Sequence, residues 1–333
     1  MSSLQQMLLT PEKASELIQS GVMLAVAADE DVLASLPCGN WVGGTIPYFM
    51  GKNGGVTTRG LVFVTPIPKY IELTPRITYY DTASLSQVCV EAPQNGFSLI
   101  ILPAFSEVHL DYAHHAAMYD DMFMKPVVGW ISGIHLDDMG KRSPKVRDGR
   151  NTKMLENAAV VIHVPLPDNI SANVNIVNLF RPGTGDVLEF ETSGFEVSQC
   201  LVNGKPTSLA QYLKSIGHDT RLPLVADYSG AFINVSLKAV DQAHDRVEFY
   251  GPVFQHVHYK LAGAFPGSYE TAFMQEAAQL PGQANFSCNC ILNYLYSELE
   301  GKRTGNVTGP MTFGEVAYVL LNQTMVHLTL ETH

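Results

Sequence analysis

The chain has 333 residues, 46% of them hydrophobic and 16% charged, and a formal net charge of -11. A chain of this length buries a sizeable core without staples, and the composition is that of a folded, rather apolar globule. The negative balance argues against a nucleic-acid partner, because phosphate binding needs a basic surface.

The start, MSSLQQMLLTPEKASEL, lacks the basic segment and apolar stretch of a secretory leader. No apolar run reaches the roughly 18 residues a membrane span needs. Five cysteines, Cys38, Cys89, Cys200, Cys288 and Cys290, are odd in number and scattered, and fit no disulfide framework. A reduced, cytoplasmic protein is the expectation.

In chain order, the first element is a helix capped by Thr10, entered through Pro11 and ended by Gly21. VMLAVAA (22–28) reads as a buried strand. GNWVGGTIPYFMGKNGG (39–55) is glycine-rich and is expected to be largely turn and loop. GLVFVTPI (60–67) and FSLIILPAF (97–105) read as strands, the second a central one. A polar-aromatic segment, SEVHLDYAHHAAMYDDMFM (106–124), follows. KRSPKVRDGR (141–150), the one basic run, reads as a solvated loop. AAVVIHVPL (158–166) is another buried strand, and RPGTGDVLEF (181–190) is a connector near which the first half gives way to the second.

LVNGKPTSLAQYLKSIG (201–217) combines an Asn203-Gly204 turn with a helix carrying Leu209, Tyr212, Leu213 and Ile216. AFINVSLKAV, DRVEFYG and VFQHVHYKLA read as the strands of a meander. YETAFMQEAAQL is a helix stopped by Pro281. NFSCNC (285–290) is a short strand leading into ILNYLYSELEG, where Leu292, Leu295 and Leu299 continue the face begun by Cys288.

Two constellations stand out. On a strand, Cys288 and Cys290 place both sulfurs on one face, as buried structural cysteines, pocket-lining groups or a reactive pair. Zinc wants four ligands, and there is no second cysteine pair. His256 and His258 on a strand share a face with Phe254, and His114 and His115 follow His109 by five and six residues. Haem needs only one protein ligand, so His256, His258, His109 and His114 are the haem-ligand candidates. Nucleotide-binding glycine motifs, zinc-protease spacings and the G-x-S-x-G elbow are absent.

Five segments resemble the FIST domain, a sensory module of intracellular signal-transduction proteins. VNGKPTSLAQYLKSIG is similar to that family's G-x-P-A segment and helix. NFSCNC is similar to its F-S-C-x-G-R stretch, and GPMTFGEVAYVLLNQTMVHLTL to its closing G-x-x-T-x-G-E-I…N-Q-T segment. NWVGGTIPYFM and GLVFVTPI resemble its N-terminal subdomain. The resemblance implies an α/β fold of mixed sheets covered by helices, in two FIST-like halves, 1–195 and 196–333. It implies a non-enzymatic, small-ligand-binding sensory protein acting through a separate signalling partner or through oligomerisation, with no catalytic residues and no cofactor.

Carried over residue by residue, the ligand-binding candidates are Ser287, Cys288, Thr312, Gly314, Glu315 and Asn322, with Gln323 and Thr324 beside them. Where the family has Gly-Arg after S-C-x, this chain has Cys290-Ile291. It lacks that arginine as a partner for a ligand carboxylate, which weighs against an amino-acid ligand. The alternatives are a haem-binding gas (nitric oxide) sensor acting on a partner kinase, and a hydrolase or transferase with Cys288 as nucleophile.

Overall fold

The apolar run at 97–105 forms the centre of the molecule. Strand Gly96–Pro103 is buried along its whole length. It pairs in parallel with Val127–Ser132 and antiparallel with Ala159–Pro165. A strand covered on both faces reads as a continuous hydrophobic stretch rather than an alternating one, which is why it is legible in the sequence.

The computed structural model describes residues 5–228, 230–263 and 267–333. The first four residues of the segment read for a leader lie outside them. The protein is mixed α/β, with strand predominating over six α-helices of at most nine residues among the described residues.

Three six-stranded sheets share one core. The first runs Met7–Leu9, Val62–Pro66, Leu24–Ala28, Trp41–Thr45, Val146–Asp148, Met154–Leu155. The second runs Val319–Leu321, Glu315–Ala317, Val127–Ser132, Gly96–Pro103, Ala159–Pro165, Arg76–Tyr80. The third runs Ile170–Val177, Met325–Thr332, Phe286–Cys290, Gly309–Thr312, Tyr48–Gly51, Gly54–Thr57. Val42, Phe49, Ile101, Trp130, Ile162, Phe286 and Val326 meet in that core. Helix Glu107–His115, capped by Ser106, covers the second sheet through Val108 and Tyr112.

Residues 188–261 form a smaller body with its own apolar cluster, including Leu188, Leu213, Val247 and Tyr259. The split expected at 195/196 does not follow the pairing. Strands after residue 285 return to the larger body: Gly309–Thr312 pairs with Tyr48–Gly51, Glu315–Ala317 with Val127–Ser132, and Met325–Thr332 with Ile170–Val177. The expected three-strand meander divides between two sheets. Leu237–Asp241 and Arg246–Val253 form a hairpin, whereas Ala231–Val235 and Tyr259–Leu261 both pair with Leu224–Tyr228.

Local signals are found where expected. Thr10 accepts from the Lys13 amide at the head of helix Pro11–Gln19. The Asn203-Gly204 turn, with φ of 48° and 77°, joins strands Gln199–Val202 and Lys205–Ser208.

Three segments depart from expectation. The glycine-rich stretch 39–55 forms three strands, Trp41–Thr45, Tyr48–Gly51 and Gly54–Thr57. Its glycines serve close packing: a Cβ at Gly43 would lie 2.9 Å from Val26 O, and one at Gly44 2.7 Å from Ile101 Cγ2. The basic run 141–150 is only partly a solvated loop. Val146–Asp148 is a strand, and Arg147 is 1% exposed. In the 291–301 segment the helix spans only Ile291–Tyr296. Leu292 and Leu299 are buried, but Leu295 faces solvent.

Candidate functional site

The polar groups of the closing segment mostly satisfy one another. Glu315 opens its strand opposite Trp130 and is fully buried. Its Oε2 accepts from the Thr324 amide at 3.2 Å and the Thr324 hydroxyl at 2.8 Å. Its Oε1 has no hydrogen-bond partner. Burial pushes the carboxyl up to about 8, against the opposing pull of the Thr324 hydroxyl, the Thr324 amide and the Cys290 thiol. It is therefore largely a neutral acid at pH 7.

The other candidates face three ways. Thr312 Oγ1 donates to Gly314 O at 2.9 Å. Cys288 and Cys290 share a strand face, with Cys288 Sγ donating to Gly129 O at 3.3 Å. These groups and Glu315 form one buried cluster. Asn322 donates to Leu321 O, and Gln323 bridges Ser236 Oγ and Arg221 O. With Asn234 Nδ2 donating to Asn322 O, the Asn322-Gln323 pair ties the larger body to the smaller one. Ser287, on the opposite strand face from the sulfurs, donates to Thr308 O and accepts from Gln6 Nε2 at 2.7 Å.

Burial first, then the nearby Glu315 carboxyl, raises both the Cys288 and Cys290 thiols well above the usual thiol range. A nucleophilic cysteine needs the opposite shift. Native protein is expected to react with a thiol-specific disulfide reagent at the exposed Cys38 alone, with Cys89, Cys200, Cys288 and Cys290 labelling only on unfolding. Peptide mass mapping of the labelled sites checks this, and rapid modification of Cys288 at pH 7 would contradict it.

Gln6, the partner of Ser287, lines a feature with little sequence signal, a cleft of about 960 Å³. Gln6 and His327 line its floor. Lys52 and Arg303 stand on its walls, and Leu280 and Ala277 supply its apolar side. His327 lies in register with Ser287 on one neighbouring strand and Asn175 on the other. His327 Nδ1, Gln6 Oε1 and Asn175 Nδ2 are buried without hydrogen-bond partners. Burial lowers the His327 pKa, so the ring is neutral near pH 7. No Asp or Glu lines the cleft, and Lys52 and Arg303 make no ion pair among the described residues. The one available hint was His327, a polar residue inside the apolar run MVHLTL.

The histidines read as haem-ligand candidates are dispersed. His256 and His258 are not on a strand: they lie in the turn 254–258, His256 at φ 63°. The His258 ring lies 3.4 Å from the Glu189 carboxylate. His114 packs edge-on to Phe195 and Phe254, and His109 is buried. Among the described residues no group of three or more His, Cys, Asp or Glu is arranged to hold a metal ion. No helix among them is long and apolar enough to cross a membrane.

The sequence model of a family of unknown function (DUF6976) matches residues 9–331, spanning both bodies and the cleft apart from Gln5 and Gln6. The chain belongs to that family. Comparison with curated proteins finds no match. Family membership thus supplies a shared fold and no chemistry, and a functional reading of this DUF6976 protein rests on its own residues.

Proposed function

We propose that this protein is a non-enzymatic, small-ligand-binding sensory protein whose ligand is a small anion held in the cleft floored by Gln6 and His327. One observation carries the reading. In a chain of net charge -11, the 960 Å³ cleft has no acidic wall residue, two cationic side chains, and buried polar atoms without partners on its floor. A buried polar group without a partner is costly; Gln6 Oε1 can only accept, so the anion that completes it also carries a donor, such as the ammonium of glutamate or the hydroxyl of hydrogen phosphate. A concave site with an apolar side and a few convergent polar groups is the usual form of a small-molecule pocket.

In this reading Lys52 and Arg303 attract the charge, and Gln6 and His327 set the ligand's orientation. The candidates carried over from the FIST resemblance act behind the cleft rather than in it. Gln6 holds Ser287, and the same strand carries Cys290 to Glu315. The sensory role, with output through a signalling partner, rests on the resemblance of the NFSCNC and GPMTFGEVAYVLLNQTMVHLTL segments.

The test is thermal unfolding with succinate, glutamate and inorganic phosphate in turn, beside native mass spectrometry of the freshly purified protein. A ligand at 100 times its Kd stabilises by about 2.7 kcal/mol, so at least one of these anions is expected to raise Tm. The double variant Lys52→Ala, Arg303→Ala changes two exposed side chains and is expected to fold normally and lose at least tenfold in affinity. No shift with any anion, together with a native mass equal to that of the bare chain, would overturn the reading.

A further inference from the structure

A second cavity, of about 220 Å³, lies between the two bodies and away from the cleft. Phe105 and Phe313 enter it from the larger body, and Phe195, Phe249 and Tyr250 from the smaller one. His109, on helix Glu107–His115, is part of its wall and is 5% exposed. The chemistry of this histidine is set by one hydrogen bond. The Phe105 backbone amide donates to His109 Nδ1 at 3.2 Å. The nitrogen that accepts cannot carry the proton of a neutral imidazole, so the proton is on Nε2. His109 Nε2 is buried and has no partner. The result is a fixed hydrogen-bond donor, unused, on the wall of an aromatic-lined space.

We propose that this cavity is a second ligand site, taking a small aromatic molecule that carries a neutral hydrogen-bond acceptor. Aromatic walls favour a flat ring, which packs edge-to-face or offset against them. The volume suits one ring with a polar substituent, since an apolar cavity of about 150 Å³ already takes up benzene. The acceptor meets His109 Nε2. A neutral acceptor is favoured because the charges at the mouth cancel: Lys238 pairs with Glu248 at 3.0 Å, and Arg246 lies within 3.8 Å of Glu196. Nothing there selects an anion, in contrast to the cleft. A ligand in this position touches both bodies at once and holds the smaller one against helix Glu107–His115.

The site is tested with benzamide, which has both ring and acceptor, against toluene, which lacks the acceptor, and cyclohexanecarboxamide, which lacks the aromatic ring. Calorimetry and long-range proton–nitrogen spectra of the histidine rings are the readouts. Benzamide is expected to bind at least tenfold tighter than either control and to move the His109 Nε2 resonance. His109→Phe keeps the apolar volume, removes the unused donor, and is expected to weaken benzamide at least tenfold. Phe105→Gly is a second variant that leaves folding intact. Phe105 sits at φ 65°, a conformation glycine adopts freely, and the change keeps the amide that binds His109 while removing one wall. It is expected to weaken benzamide several-fold. Benzamide binding that is absent, that is unchanged in both variants, or that is matched by toluene would overturn the proposal.

Discussion

Replacing Glu315 by alanine is expected to destabilise the protein by about 3–5 kcal/mol, the range for losing a buried hydrogen-bonded group and leaving a cavity, when measured near pH 5, where the carboxyl is protonated at little cost. The side chain is fully buried, and the Thr324 amide and hydroxyl both depend on it. Glu315→Gln keeps the shape and an acceptor oxygen and isolates the proton. The folded carboxyl titrates near 8, against 4.5 for the ordinary group. Below the ordinary value both states are protonated, and the group has no effect. Between the two values the folded protein holds a proton that the unfolded chain has released. Stability therefore falls as pH rises through this window, then levels off above the folded value.

The full cost of keeping Glu315 protonated in the fold is on the order of 5 kcal/mol. Burial also lowers His109 and His163 to about 4, which gives the opposite slope below the ordinary histidine value of 6.5. Above that value the Glu315 contribution stands apart from theirs, and the difference between wild type and Glu315→Gln removes theirs throughout. Urea unfolding at intervals from pH 5 to 9 is expected to show Glu315→Gln gaining on the wild type up to pH 8. Parallel profiles would mean that the carboxyl is ionised in the fold.

Arg147→Ala is expected to cost a similar amount, about 3–5 kcal/mol, because it strands three backbone carbonyls at about 1–3 kcal/mol each when buried. The guanidinium lies 4.8 Å from the Trp41 ring centre. It donates to Leu33 O at 2.8 Å, Ala34 O at 3.0 Å and Asn151 O at 3.0 Å. Leu33 and Ala34 belong to the last turn of helix Glu30–Ser35, whose carbonyls have no partner within the helix. Arg147 thus caps that helix from a neighbouring strand. The adjacent Asp148 carboxylate is engaged by Arg150 at 2.7 Å, so the charge on Arg147 is dispersed over carbonyls and an aromatic face. Arg147→Lys has one point of donation in place of a planar fork and is expected to recover only part of the loss. Chemical denaturation of both variants measures this. A loss under about 0.5 kcal/mol, the surface-substitution range, would return this run to the solvated loop that its composition suggests.

Glu315 and Arg147 mark the division between what was legible and what was not. Glu315 and the Asn322-Gln323-Thr324 triplet entered as candidates through the FIST resemblance, and buried polar groups of this kind need partners. The partners themselves were not legible. Thr324 serves Glu315, whereas Asn322 and Gln323 turn away toward the smaller body. The cleft was less visible still. Gln6 and Ser287 are 281 positions apart, and no local pattern connects them.

Short-range physics decides the features that were legible in the chain alone. These include the Thr10 cap with Pro11, the Asn203-Gly204 turn, the central run 97–105 and the strand that holds Cys288 and Cys290. Each depends on residues a few positions apart, or on a run apolar enough to demand burial from both sides. Tertiary packing makes the glycines of 39–55 bring strands close together, buries one arginine of a basic run, and returns the last strands to the first sheets. It also leaves Glu315 and Asn322 outside the cleft that His327 floors. The reason is that burial and hydrogen-bond satisfaction are properties of what the rest of the chain brings alongside a residue. The same glycine, arginine or glutamate reads identically in sequence whether its neighbour in space is water or a β-sheet.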